Sequence, residues 1–85
     1  MMQHVLLIYD ISDDRIRLKV ADACLDYGLA RLQNSAFFGQ LTRELQVKLM
    51  ARIKKLLGTQ VGNVQLIPIS ARAWASRLEI CNAPS

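Results

Sequence analysis

Four aliphatic residues in succession, Val5-Leu6-Leu7-Ile8, run into Tyr9-Asp10 and then at once into Ile11-Ser12-Asp13-Asp14-Arg15. A run this short, closed by helix-starting residues, is the signature of a strand, and its unbroken apolar character suits one buried on both faces. Asp10 then stands where strand gives way to helix. Rigid backbone holds it there, at the end of the sheet where folds that cover sheets with helices often place their chemistry. Position alone leaves two roles open: a functional acid, or a polar residue that begins a loop and supports the next helix cap.

The rest of the chain supplies the partners for that strand. Ser12 is expected to cap a helix with Asp13 and Asp14 in its first turn, where carboxylates complement the positive end of the dipole. Ile16, Val20, Ala23, Cys24 and Tyr27 recur at helical spacing, and Gly28 is placed to end the helix. Arg15, Lys19, Asp22 and Asp26 fall on its solvated side. Residues 29–41 are extended in character, as one kinked strand or two short ones, with Asn34-Ser35 as the break in the second case. Thr42 caps a second helix ending at Gly58, with Leu45, Leu49, Ile53, Leu56 and Leu57 as its buried stripe. Lys48, Arg52 and Lys55 share its other side.

Val64-Gln65-Leu66-Ile67-Pro68-Ile69 reads as a strand, and Pro68 places it at an edge or a strand end. Arg77-Leu78-Glu79-Ile80-Cys81 alternates like a final short strand. The order of elements indicates an α+β chain, a ferredoxin-like βαββαβ sandwich with an additional C-terminal strand and with helices on one face of an antiparallel sheet.

No linker, repeat or low-complexity segment divides the sequence, so residues 1–85 are expected to form a single domain. A domain of 85 residues buries only about 60% of the surface its unfolded chain exposes. A hydrophobic content of 52% is high for that size and leaves apolar surface for a second chain. Leu78, Ile80 and Cys81, in a tail with no helix to cover them, suggest an obligate homodimer in which the segment about 71–85 lies at the dimer or partner interface.

The net charge of +4 favours an anionic partner, nucleic acid before membrane. The aliphatic run is too short to span a bilayer, and no basic segment or cleavage site precedes it. Cys24 and Cys81 lie in apolar stretches without a CxxC spacing, and are expected as reduced core thiols of a cytoplasmic protein.

Several blocks resemble one family in order and spacing. Tyr9-Asp10-Ile11-Ser12-Asp13-Asp14 is similar to its Y-D-I-[ST]-[DN]-[DN] opening, and Arg17 and Lys19 match its basic pair on the first helix. Tyr27-Gly28, followed by Arg31-Leu32-Gln33-Asn34-Ser35-Ala36-Phe37, resembles its Y-G-x-x-R-[VIL]-Q-x-S-V-F block, and Leu66-Ile67-Pro68-Ile69 its late strand. The family is CRISPR-associated protein 2, the small partner of the pair that captures new spacers, and the likeness spans about residues 4 to 70. Ala36 stands where valine is usual and Phe38 where an acidic residue is frequent, and the tail after Ser70 matches no motif.

The resemblance implies a homodimer of ferredoxin-like protomers with one magnesium ion between two symmetry-related aspartates. It further implies phosphodiester cleavage of RNA or DNA, and assembly with the CRISPR-associated integrase along duplex DNA. Carried onto this sequence, Asp10 is the catalytic and metal-binding residue, and Arg17, Lys19, Arg31 and Ser35 are nucleic-acid-binding candidates.

The chemistry agrees at Asp10. Magnesium takes one or two carboxylates and keeps several waters. A lone aspartate is a poor site, whereas two copies across a two-fold axis make a credible one. The arginine fork of Arg17 and Arg31 suits phosphate, and ion pairing with Asp13, Asp14 or Asp26 suits them equally. Ser35 fits a phosphate donor or a serine at a strand break, and no base is placed beside it to make it a nucleophile. Tyr9 and Phe37 fit core or interface aromatics, and His4 a structural role. Three functions remain in view: a metal-dependent nuclease of CRISPR adaptation, a non-catalytic DNA-binding scaffold of the same complex, and another ferredoxin-like module, such as a ribonuclease toxin or a small-molecule-binding regulatory domain.

Overall fold

The computed structural model describes residues 1–82. Its elements run β1 (Gln3–Ile11), α1 (Asp14–Asp26), β2 (Ala30–Gln33), β3 (Ala36–Leu41), α2 (Arg43–Leu57), β4 (Gly62–Ile69) and α3 (Ala71–Ala75). The four strands form one antiparallel sheet in the order β2-β3-β1-β4. This is the ferredoxin-like arrangement, with the first strand central and each crossover helix returning to the same side.

β1 is not buried on both faces. Val5, Leu7, Tyr9 and Ile11 are buried, whereas Ile8 and Asp10 are exposed and Leu6 is only half-covered. The physical reason is that α1 and α2 pack against one face alone, so the aliphatic run meets a core on one side and an open sheet on the other. Phe37, Leu41, Val20, Ala23, Cys24, Leu49 and Ile53 complete the core beneath the two helices.

Asp13, not Ser12, caps α1. Its side chain accepts from the backbone N–H of Ile16 at 2.9 Å. Both residues carry an oxygen able to cap, and the longer run of β1 to Ile11 moves the helix start one residue on. Gly28 follows α1 with a φ of +83°, a conformation that favours glycine. Thr42 caps α2 through the N–H of Leu45 at 3.2 Å, and Gly58 closes it.

The buried stripe of α2 differs from the aliphatic pattern at its start: Leu45 is exposed, and Gln46 is buried in its place. Gln46 remains satisfied there, donating to the Gln3 side chain at 2.8 Å and the Leu41 carbonyl at 3.2 Å, and accepting from Arg43.

Residues 29–41 form two strands, with Asn34-Ser35 as the turn between them. The register shifts by one residue between Arg31 and Gln33, a bulge in β2. The expected strand over Arg77–Cys81 is not formed in this chain. A strand needs a neighbouring edge to accept its ladder, and the segment before it folds into α3, which turns back over the open face. There Trp74 stacks on Phe38 at 4.8 Å between ring centroids, and the Arg77 guanidinium lies 4.0 Å above Trp74. Leu78 and Ile80 are left 98% and 93% exposed.

Both cysteines are free. Cys24 is in the core, but Cys81 is exposed, like the described residues on either side of it. Residues 83–85, the end of the segment expected at an interface, lie outside the described residues.

Candidate functional site

The site forms where β1 leaves the sheet. An open groove of about 630 Å³ lies there, lined among others by Asp10, Arg17, Arg31, Asn34 and Ser35. Four of the five residues singled out from sequence therefore surround one space. The fifth, Lys19, sits on the exposed side of α1 and does not line it. Residues two apart on a helix do not share a face, so Arg17 and Lys19 point differently despite their pairing in sequence.

Each lining residue is held by a local cause. Strand pairing sets Asp10 opposite Asn63 of β4, on the face that α1 and α2 leave open. Its carboxylate is exposed and makes no hydrogen bond or ion pair among the described residues. Arg17, one turn into α1, donates to the carbonyl of Ile11 at 3.3 Å and forms an ion pair with Asp14. That pair neutralises part of its charge, so Arg17 reaches a phosphate only by sharing its fork.

Arg31 is better disposed. Its guanidinium lies 4.9 Å above the Phe37 ring and donates to the Asn34 carbonyl at 2.8 Å. A planar cation stacked on an aromatic face keeps in-plane donors available to a ligand.

The turn that carries Ser35 is tied to β1 twice. The backbone N–H of Tyr9 donates to the Ser35 carbonyl at 3.0 Å, and the Tyr9 hydroxyl donates to the Asn34 carbonyl at 3.1 Å. Burial pushes the Tyr9 hydroxyl pKa above its ordinary value, with nearby Arg31 pulling the other way. Tyr9 and Phe37 are thus core aromatics, their rings stacked at 6.3 Å, and they act on the groove by bracing its wall.

Sequence reading missed Asn34 as an anchor and left the partner of Arg17 open between Asp13, Asp14 and Asp26, of which the structure pairs Asp14. The first was visible only as a turn residue. The second is favoured by its i,i+3 spacing. It also missed Asn63 and Gln65, which the register sets beside Asp10 on the open face.

Among the described residues no cluster of three His, Cys, Asp or Glu side chains stands ready to hold a metal. Of the two carboxylates that line the groove, Asp14 is paired with Arg17 and Asp10 has no partner among the described residues. Magnesium is satisfied by one or two carboxylates plus water, so the donor set fits that ion once a second Asp10 faces the first. The surroundings of Asp10 allow this approach: Ile8 and Ile67 on the same open face are 37% and 39% exposed. Apolar side chains around a lone carboxylate form a surface suited to a second copy.

Comparison with known proteins was made against this geometry. The family model described as "CRISPR associated protein Cas2" matches residues 2–77. The "CRISPR-associated endoribonuclease Cas2 2" of Chloroflexus aurantiacus is 49% identical over 72 residues, covering 85% of each chain. A "CRISPR-associated endonuclease Cas1/endonuclease Cas2 fusion" of Thermoproteus tenax is 32% identical over 81 residues, 95% of this chain and 31% of that protein. The crystal structure of Streptococcus pyogenes Cas2 superimposes with a TM-score of 0.77 at 26% identity, covering 96% of this chain and 100% of that one.

Proposed function

The chain belongs to the CRISPR-associated protein Cas2 family, and from that premise we propose that it works as a homodimer with the Cas1 integrase in spacer acquisition, with Asp10 as the centre of a metal-dependent phosphodiester-cleaving site. The observation that carries this reading is the convergence of Asp10, Arg17, Arg31 and Ser35 on one groove beside an open apolar sheet face. Relatives named as endoribonucleases make RNA the first substrate to test, and the fusion of a Cas2 segment to Cas1 in one relative supports the integrase as partner. No helix among the described residues is long and apolar enough to cross a membrane. The nucleic-acid partners of this reading place its work in the cytoplasm.

In this reading the residues divide the labour by chemistry. The Asp10 side chains of two protomers would hold the magnesium ion, which would supply neutralisation of phosphate charge and activation of water. Arg31, braced on Phe37, takes the non-bridging oxygens of the phosphodiester. The Ser35 hydroxyl adds a donor from the turn. Arg17 contributes charge attenuated by Asp14. Lys19, off the groove, attracts the flanking backbone and sets no geometry.

A second reading, the non-catalytic scaffold, is favoured by a specific observation: among the described residues one chain brings a single unpaired carboxylate to the groove, and one of the two groove arginines is already paired. Reconstituted spacer integration with the partner integrase tests the shared core of both readings. Integration that requires this chain supports it, and integration unaffected by its omission removes it. Integration retained by the Asp10→Asn variant assigns the scaffold role, whatever that variant does to cleavage.

A further inference from the structure

We propose that Asn63, oriented by Gln65, is a positioning residue for Asp10 and tunes the uptake of a divalent ion at the dimer site. The inference rests on the reading of Asp10 as the shared metal ligand, and extends it to two residues of β4 outside the motif blocks.

Register places Asn63 directly opposite Asp10 on the antiparallel pair β1–β4. Opposed residues share a face and bring their Cβ atoms within about 5 Å, so the Asn63 amide lies within reach of the Asp10 carboxylate, although the two make no hydrogen bond in the single chain. The pairing reaches this far because the next position is glycine. A Cβ on Gly62 would lie 3.0 Å from Leu57 Cδ1, 3.2 Å from Ile11 Cγ1 and 3.4 Å from the Asp10 carbonyl oxygen. A larger residue would crowd the Leu57 and Ile11 side chains, which would have to give by a few tenths of an ångström, so glycine lets the ladder close tightly at this end.

Gln65, two residues along and on the same face, donates its Nε2–H to Asn63 Oδ1 at 3.2 Å. That bond is exposed and adds little to stability. What it does is fix the rotation of the Asn63 amide. With its oxygen engaged by Gln65, the amide has its two N–H donors left to offer, and the carboxylate across the ladder is an acceptor without a partner among the described residues.

Such a donor engages Asp10 only in rotamers that turn the carboxylate toward β4, and so selects among them when the second copy and the ion arrive. When two Asp10 carboxylates face each other across the two-fold axis, each brings its own donor to offset the repulsion. Groups that orient a metal ligand in this way govern affinity without touching the ion.

The test uses the full chain and manganese as the probe, read by electron paramagnetic resonance of the free ion, with circular dichroism to confirm the fold. Wild type is expected to bind manganese and Asp10→Asn to lose it. Asn63→Ala is expected to bind roughly 10- to 100-fold more weakly. Gln65→Leu, which removes only the orienting bond, shifts affinity in the same direction by less and decides the matter if Asn63→Ala does not fold. Manganese affinity indistinguishable from wild type in the folded variants overturns the positioning role and leaves the Asp10 reading standing. Wild type binding no more manganese than Asp10→Asn overturns the Asp10 reading, and the role of Asn63 with it.

Discussion

The hydroxyl of Tyr9 donates to the carbonyl oxygen of Asn34, 25 residues away, at 3.1 Å. One residue before the candidate catalytic carboxylate, a core side chain thus grips the turn that presents Ser35. The same carbonyl accepts from Arg31 at 2.8 Å, so one backbone oxygen joins the strand end, the turn and the arginine of the groove. Rigidity at Asp10 comes from this junction, because the Asp10 side chain has no partner of its own among the described residues.

Tyr9→Phe keeps the ring in the core and removes only the hydroxyl. A part-buried hydrogen bond is lost while Arg31 still satisfies the Asn34 carbonyl, so chemical denaturation should show a stability loss of about 1 kcal/mol. The variant should also bind nucleic acid more weakly, because the turn is no longer tied to β1. A stability loss with unchanged binding would separate the junction from the groove.

Cys24 sets a prediction at alkaline pH. Burial pushes its thiol from 9.0 up to about 11. Below pH 9 both folded and unfolded chains keep the proton, and the group has no effect on stability. Above that the unfolded chain releases it first, so stability falls as pH rises toward the folded value, by at most about 1.4 kcal/mol per pH unit. Urea midpoints measured from pH 8 to pH 11 should decline less steeply for Cys24→Ala than for wild type. Parallel declines would show that the thiol titrates alike in both states.

The salt dependence of nucleic-acid binding separates two basic surfaces. Lys48 and Arg52 on α2 are already paired with Glu44 and Asp26, at 3.2 and 2.9 Å. Arg31 is paired with no carboxylate among the described residues and lines the groove. Replacing Arg31 by Gln should flatten the slope of log affinity against log salt by roughly 0.9 for duplex DNA, one phosphate contact. Replacing Lys48, Arg52 and Lys55 together by Gln should leave the slope unchanged. The reverse result would move the nucleic-acid surface onto the helices.

These comparisons also indicate what was legible in the residues. Caps, helix periods and the ferredoxin-like order are local signals, and Thr42, Gly28 and Gly58 mark boundaries that the fold keeps. Gln46 was not legible as core, because a polar side chain enters an interior only when tertiary partners such as the Leu41 carbonyl await it. The aliphatic run of β1 read as doubly buried because sequence does not say that both long helices choose one face. The grouping of Arg31 and Ser35 with Asp10 came from the family likeness and not from spacing. Asn63 had no signal at all, since its place opposite Asp10 depends on strand register.

Homodimerisation through the open face and the tail is the next expectation. Ile8, Ile67, Leu78 and Ile80 remain exposed in the single chain, and the alternating Arg77–Cys81 segment is not paired as a strand in it. Sedimentation should find the full chain dimeric at micromolar concentration, and a version ending at Arg72 shifted toward monomer. A monomeric full chain would contradict a site built from two copies of Asp10.

The most direct measurement is magnesium-dependent cleavage of RNA and DNA by wild type and Asp10→Asn purified side by side. The variant should keep its fold and dimer and lose cleavage altogether, since the metal and the water it would activate disappear together. Equal cleavage by the two proteins would contradict Asp10 as the catalytic centre.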